Sequence, residues 1–514
     1  MKIFPKNIIF NCPDKPAIIM AEKSISIGYK ELEERSNQGA HYFRSIGLKK
    51  NDHIAIYVEN NINFIEICWA AHRSGLIYTC ISTHLRKEEV NYILKDSEAK
   101  LCIFSSKTYD IANLLIKDPN LSNIKWLYCD NLDFVNEWNE SIKNFPNIPI
   151  KDECEGTDML YSSGTTGRPK GIIKDKNKFK AFNNRPVLLD VLEKYFKFSS
   201  DMIYLNPAPL YHAAPLKFCM AIHRIGGTII CMEKFNEIKV LEAIDKYKVT
   251  HSQWVPTMFV RMLQLKEKIK NQFNLSSMKY AIHSAAPCSI SIKNKMLDWW
   301  GNIIYEYYSS TEGIGFCTIS PIEWLKNLGS VGKAVVGKVH ICDTKNPDEE
   351  LPVNSSGLVF FESDISFSYF KDDMQTKSNK NIHGWVTLGD IGYLNSEGYL
   401  FLNGRLSHTI ISGGVNLYPQ EIENIIINHF SVSDVVIVSK PDKDLGERPH
   451  AIVQTNTNDI KNLEIELIHL CRTNLSSIKC PKSYEFVTKL PRYENGKLYK
   501  NMIKFYTKNY KVND

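Results

Sequence analysis

A chain of 514 residues, 43% hydrophobic and 11% aromatic, carries enough apolar surface for a large packed core, which excludes a disordered or fibrous protein. Its 63 basic and 57 acidic residues are interspersed, the net charge is only +6, and no basic block marks a nucleic-acid-binding tail. At roughly 150 residues per domain, the length is that of about three units.

The N-terminal stretch MKIFPKNIIFNCPDKPAII has a short apolar patch, but Pro5, Lys6 and Asn7 interrupt it before a signal-peptide core can form. No segment approaches ~18 uninterrupted apolar residues, so no membrane span is expected. Residues 53–58 (HIAIYV) read as a buried strand and 63–75 (NFIEICWAAHRSG) as a helix ended by Gly75. Residues 100–106 (KLCIFSS) read as a strand, as does 158–161 (DMLY). Residues 227–233 (GTIICME) are a further strand before a helix over 238–249, with Ile238, Leu241, Ile244 and Val249 at roughly helical spacing. Such alternation predicts an α/β fold with parallel sheets covered on both faces. Residues 389–404 form two short strands split by a turn at 395–398. Beyond 404–408 the pattern restarts with HTIISGG, a helix in YPQEIENIIINHF, a strand in DVVIVSKP, then HAIVQT and a helix around 460–474. The expected division is a large domain over 1–404 and a small α+β domain over 405–514, with a hinge near Arg405–Ser407. The thirteen cysteines are scattered without a CxxC pair, and Cys68, Cys102, Cys219 and Cys231 lie in apolar runs. Free buried thiols and a cytoplasmic, soluble protein are the expectation.

The stretch YSSGTTGRPKG (161–171) resists a core reading. Clustered glycines leave backbone N–H groups free to face an anion, hydroxyls add donors, and a lysine adds charge, so the loop is a candidate phosphate cradle. A P-loop needs Gly-Lys followed by Ser or Thr at a helix start; here Lys170 stands between Pro169 and Gly171, which rules that motif out.

The same stretch resembles the signature of the adenylate-forming (AMP-binding) superfamily. Companion segments follow in family order: NPAPLYHAAP (206–215), SAAPCS (284–289), YEYYSSTEGIGF (305–316), GWVTLGDIGY (384–393), GRLSHTIISGGVNLYPQEIE (404–423) and LPRYENGKLYK (490–500). The resemblance implies ATP, Mg²⁺ and coenzyme A as co-substrates and cofactor, and a carboxylic acid as substrate. It implies that Ser162, Ser163, Gly164, Thr165, Thr166 and Lys170 cradle the β- and γ-phosphates. Ala285, in the turn that packs on adenine, and Glu306, Tyr307 and Tyr308 complete the nucleotide site. Thr311 touches the α-phosphate, Glu312 is the metal ligand, Asp390 holds the ribose and Arg405 pairs with AMP. Lys497 is the catalytic cation that meets both carboxylate and α-phosphate. His212 gates an acyl pocket that includes Tyr211, Ala214, Trp254 and Gly313, alongside Ala213, Leu216, Val255, Ser284, Ala285, Tyr308 and Gly315. Gly413 and Gly414 would lie against the pantetheine of coenzyme A. Taken singly, Lys497 reads as a surface lysine, Glu312 as a first-turn carboxylate, Asp390 as a turn residue and His212 as a core histidine. Two positions depart from the family pattern: Ser407 and His408 replace the usual acidic or lysine pivot, and Asn495 precedes Gly-Lys where Thr is common.

The expected activity is that of an acyl-CoA synthetase of the fatty-acid or bile-acid ligase type, active in fatty-acid metabolism on free small molecules as a monomer or homodimer. With no Asp visible to hold an α-amine, and with Gly313 and Gly315 leaving the far wall open, the expected acid is a medium- or long-chain fatty acid or an aromatic one. Alternatives are an adenylation enzyme loading a separate carrier protein, a luciferase-like oxygenase, and a non-catalytic acyl- or nucleotide-binding relative.

Overall fold

Strand–helix alternation along the first 300 residues builds two sheets in the computed structural model, which describes residues 12–130, 137–162, 169–174 and 185–492. The first is wholly parallel, in the order Lys125–Tyr128, Leu101–Phe104, His53–Tyr57, Ile77–Cys80, Thr157–Asp158. All five residues of His53–Tyr57 are buried, as a strand covered on both faces requires. The helix Ile62–Arg73 starts on Asn61, whose side chain accepts the Asn63 and Phe64 N–H groups. It ends as expected at Gly75 (φ +66°): Leu76 N–H reaches Ala71 O and Gly75 N–H reaches His72 O, a Schellman closure that a left-handed glycine permits.

The second sheet has thirteen strands among the described residues. Its central block is parallel: Pro16–Met20, Thr228–Cys231, Ile203–Asn206, His251–Trp254, Tyr280–His283 and Ile304–Ser309. From Phe316–Ile319 onward it turns antiparallel and takes in Ser330–Val336, Leu400–Arg405, Val386–Leu394, Gly357–Glu362 and Lys338–Cys342. The parallel arrangement thus holds only where helices return the chain; tight turns, such as that between Leu394 and Leu400, make the rest antiparallel.

One expected strand is two. Thr157–Asp158 closes the first sheet, whereas Leu160–Ser162 pairs antiparallel with Lys170–Lys174 in a separate three-stranded sheet completed by Phe367–Tyr369. The strands that flank the polar stretch are therefore antiparallel neighbours in a sheet of their own.

In the small unit, strands Ile410–Ser412, Val415–Leu417, Asp434–Asp442, Gly446–Gln454 and Ser483–Val487 form one sheet, packed by helices Pro419–Ile426 and Ile460–Asn474 around Ile410, Leu417, Ile422, Val453 and Leu467. Leu400–Arg405 belongs to the large sheet and Ile410–Ser412 to the small one; a single 3₁₀ turn, Leu406–His408, separates them. None of the thirteen cysteines is bridged, and ten are buried. Among the described residues no helix is long and apolar enough to cross a membrane.

Candidate active site

The carboxyl ends of the parallel strands in the large sheet, the three-stranded sheet and one side of the small unit enclose a cavity of ≈ 1490 Å³. It is lined by Lys170, Tyr211, His212, Ala214, Trp254, Ala285, Glu306, Tyr307, Tyr308, Thr311, Glu312, Gly313, Asp390 and Arg405, so residues scattered over 235 positions of sequence meet at one place. All twelve expected acyl-pocket residues line it, Ala213, Leu216, Val255, Ser284 and Gly315 included. Ser163, Gly164, Thr165, Thr166 and Lys497, with the side chain of Ser162, lie outside the described residues.

On the side expected to take the nucleotide, Asp390 is nearly buried and receives two hydrogen bonds: Tyr308 Oη at 2.6 Å on Oδ2 and Arg405 Nε at 2.7 Å on Oδ1. Asp390 and Arg405 are direct cross-strand partners, which fixes their contact by register. Burial and then the Asp390 carboxylate push the Tyr308 hydroxyl well above its ordinary range, so it stays a donor. Ala285 holds φ +74°, a strained value for a residue with a Cβ, and it is exposed toward the cavity from the loop after Tyr280–His283. Lys170 Nζ rests on Asp372 Oδ2 at 2.5 Å and on the Gln375 side chain. Glu312 is nearly buried and its Oε1 accepts Tyr369 Oη at 2.9 Å; it heads no helix, since Ser310–Gly313 is a turn. Among the described residues no group of three or more His, Cys, Asp or Glu could hold a metal. A lone carboxylate fits Mg²⁺, which keeps most of its positions for substrate phosphates and water.

Glu306, Tyr307 and Tyr308 do not act as one group. Successive side chains of a strand point to opposite faces. Tyr308 faces Asp390. Tyr307 turns to the other face, stacked on Phe316 (4.7 Å, 10°) with its hydroxyl accepting Gln253 Nε2 at 2.7 Å, and burial raises it to about 12. Glu306 sits beneath, 2.6 Å from Lys293 Nζ and 3.4 Å from His283 Nε2; burial opposes its charge, but these two partners hold it down to about 2.

On the side expected to take the acyl group, His212 precedes the helix Ala213–Ile225, and its ring packs edge-on against Tyr211 at 4.7 Å. The helix contributes Ala213, Lys217, Met220, Ala221 and Arg224 to the wall. Sequence reasoning missed the charged residues here. Lys217 Nζ donates to Thr311 O at 3.1 Å and stands 3.7 Å from Asp158 Oδ2. Lower down, Arg224 pairs with Glu155, and His72 Nε2 lies 2.8 Å from Arg224 and 3.2 Å from Glu155. A lysine inside AAPLKFCMAI, five residues after His212, was the available signal.

The two glycines of the far wall differ. An added Cβ at Gly313 meets nothing within 4 Å, whereas at Gly315 it would lie 2.0 Å from Phe361 Cδ1. Gly315 therefore admits a phenyl ring of the core, and only Gly313 leaves open space. Gly315→Ala is expected to destabilise by about 1–3 kcal/mol through overpacking, read as a lower Tm. Gly313→Ala carries only the left-handed penalty of roughly 1–2 kcal/mol at φ +71° and should narrow acid selectivity, read by comparing short and bulky acids.

From the small unit, Ser407, His408, Thr409, Glu423, Val436, Ser439 and Arg492 reach the cavity. Gly413 and Gly414 are not among its lining residues; with φ +54° and +79° they form the two-residue turn between Ile410–Ser412 and Val415–Leu417, the conformation such hairpins need. Burial raises Glu423 to about 7 although its Oε1 accepts Ile437 N–H at 2.9 Å. The folded state then holds a proton that the unfolded state, titrating at the ordinary 4.5, has lost. Stability contributed by that proton is present below the unfolded value and fades as pH rises through about 7. Glu423→Gln should flatten this decline, seen as a smaller difference in Tm between about pH 5 and about pH 8.

A layered α/β lobe and a small α+β lobe meet at one cavity, with the Asp390 carboxylate and the Thr311-Glu312 turn both in its wall, an arrangement that suits an enzyme of two lobes. The chain belongs to the AMP-binding enzyme family: the family model matches residues 9–367, and that of the AMP-binding enzyme C-terminal domain matches 421–497. It is 28% identical over 499 residues to the long-chain-fatty-acid–CoA ligase FadD13 of Mycobacterium tuberculosis, covering 96% of this chain and 95% of that protein. It is 27% identical over 499 residues to the 2-succinylbenzoate–CoA ligase of Bacillus licheniformis, covering 96% and 97%. The fold matches ATP-bound MatB from Rhodopseudomonas palustris with a TM-score of 0.83 at 24% identity, over 99% of this chain and 100% of that one.

Proposed function

We propose that this chain is an ATP-dependent acid–thiol ligase that converts a medium- or long-chain fatty acid or an aromatic acid to an acyl adenylate and then to its coenzyme A thioester. The carrying observation is the meeting of Asp390, Arg405, Tyr308, Thr311 and Glu312 at the mouth of a cavity whose other half is walled by Tyr211, His212, Ala214, Trp254 and Gly313. The ligase names of the relatives over nearly the whole chain support the same reading.

A carboxylate is a poor acyl donor because its oxygen leaves badly. In the first step its oxygen attacks the α-phosphorus of ATP and the bond to pyrophosphate breaks. In the second, the thiol sulfur of coenzyme A attacks the acyl carbon, the thiol proton is lost and AMP departs. Asp390 accepts the ribose hydroxyls while Tyr308 and Arg405 hold its two oxygens in place. Lys170 and the loop at 162–166 would cradle the outer phosphates, Lys170 exchanging Asp372 for phosphate oxygen. Glu312 would hold Mg²⁺, which supplies charge neutralisation for the departing pyrophosphate. Lys497 would bring the acid and the α-phosphate together.

The lobes are read as 1–404 and 405–514, turning at Arg405–Ser407, and Gly413–Gly414 as approaching the pantetheine arm only after that turn. The free-thiol state of the cysteines supports a reducing, cytoplasmic setting. A monomer or homodimer is the proposed form. The test is release of AMP from ATP across a panel of carboxylic acids, with and without coenzyme A. AMP release that never depends on coenzyme A, or thioester formed only on a carrier protein, would overturn the ligase reading.

A further inference from the structure

The wall formed by Ala213–Ile225 carries two cations, and they are not in the same state. Arg224 is satisfied by Glu155 and His72. Lys217, whose side chain is 20% exposed, makes one hydrogen bond among the described residues, to Thr311 O, and its nearest carboxylate, Asp158, is at 3.7 Å, beyond hydrogen-bonding reach. An ammonium has three donors, so two remain for a ligand. A second lysine, Lys174, lines the same region, and the like charge of Lys217 lowers its amine below the ordinary lysine value. Among the described residues Asp158 is the one carboxylate within 4 Å of Lys217, and Lys174 is a second ammonium near it. A purely apolar acyl chain laid against Lys217 would strip water from a cation and return nothing for it. A carboxylate on the chain would restore both hydrogen bonds and charge.

We infer that Lys217 is the specificity anchor for a second carboxylate on the acid substrate, so that this ligase takes fatty or aromatic acids bearing a second carboxylate close to the reacting one. The spacing follows from position. Lys217 lies five residues after His212 on the same wall and its amine touches the carbonyl of Thr311, beside the turn that carries Glu312 and Gly313. The second carboxylate is therefore a few bonds from the first, not at the far end of a long chain. This rests on the ligase reading above.

The test compares matched acids differing by that one group: butanoate with succinate, undecanoate with 2-octylsuccinate, and benzoate with phthalate, each scored by coenzyme A-dependent AMP release. Wild-type enzyme is expected to favour at least one diacid over its partner by about tenfold or more in kcat/KM. Lys217→Met should lower kcat/KM for that diacid by about 100-fold, chiefly through KM, and raise it for the monoacid, reversing the preference. Lys217→Arg should restore part of the diacid activity, and thermal unfolding of both variants checks that they are folded. A wild-type preference for the monoacid in every pair, or a Lys217→Met effect equal on both members of a pair, overturns the inference while leaving the ligase intact. Absence of AMP release with every acid overturns the ligase reading itself.

Discussion

Lys497→Ala is expected to slow acyl-adenylate formation by about 10³-fold, the loss typical of removing one preorganised charge from a transition state. The first step drives a carboxylate into an anionic phosphate, and that repulsion needs a cation placed where negative charge gathers. Among the described cavity cations, Arg405 is held by Asp390, Lys170 by Asp372 and Lys217 by Thr311 O, so the proposed role between acid and α-phosphate is given to Lys497. Pyrophosphate release in a single turnover measures the effect. Thioester formation from preformed acyl adenylate and coenzyme A should fall much less, since the phosphate has already been joined. A decrease below about twofold in both steps would return Lys497 to an ordinary surface lysine.

Asp390→Ala should reduce kcat/KM for ATP by about 100-fold. A carboxylate offers about four acceptor sites, and Tyr308 and Arg405 fill two, which leaves two for a pair of ribose hydroxyls. Removing it deletes both sugar contacts and leaves the Tyr308 hydroxyl and the Arg405 guanidinium without their shared partner. The loss should therefore appear both in ATP titration and in a lowered Tm of the nucleotide-free protein. Asp390→Asn keeps an oxygen for Arg405 and should fall between. A normal KM for ATP in the alanine variant would place the ribose elsewhere.

Much of this was legible in the sequence because its signals are local. Glycine at 75 ends a helix, residues 460–474 become the helix Ile460–Asn474, and the restart after Gly404 marks the change of sheet. The site was legible through short segments in order, since each places its residues on a strand end or turn. What was hidden depends on distant neighbours. Nothing in DMLY tells that Asp158 and Leu160 enter different sheets, because that is decided by pairing with Tyr78 and Ile172. Gly315 reads as open space until Phe361, 46 residues on, is seen to fill it. Lys217 reads as one lysine among many until Asp158 and Thr311 arrive from elsewhere in the chain. Gly413 and Gly414 fit a ligand and a hairpin equally well by composition, and in this structure they form the turn of a hairpin.

The pairing of Asp390 with Arg405 has a mechanical corollary. Arg405 is the last residue of the large sheet, and the chain turns into the small one immediately after it. A door hung at that residue would have its hinge pin beside the proposed sugar site. Under the proposed turn, Glu423, Glu447 and Arg492 would cross the chamber while Asp390 kept its place in the large sheet, so AMP held there would stay seated as the groups on its far side were exchanged.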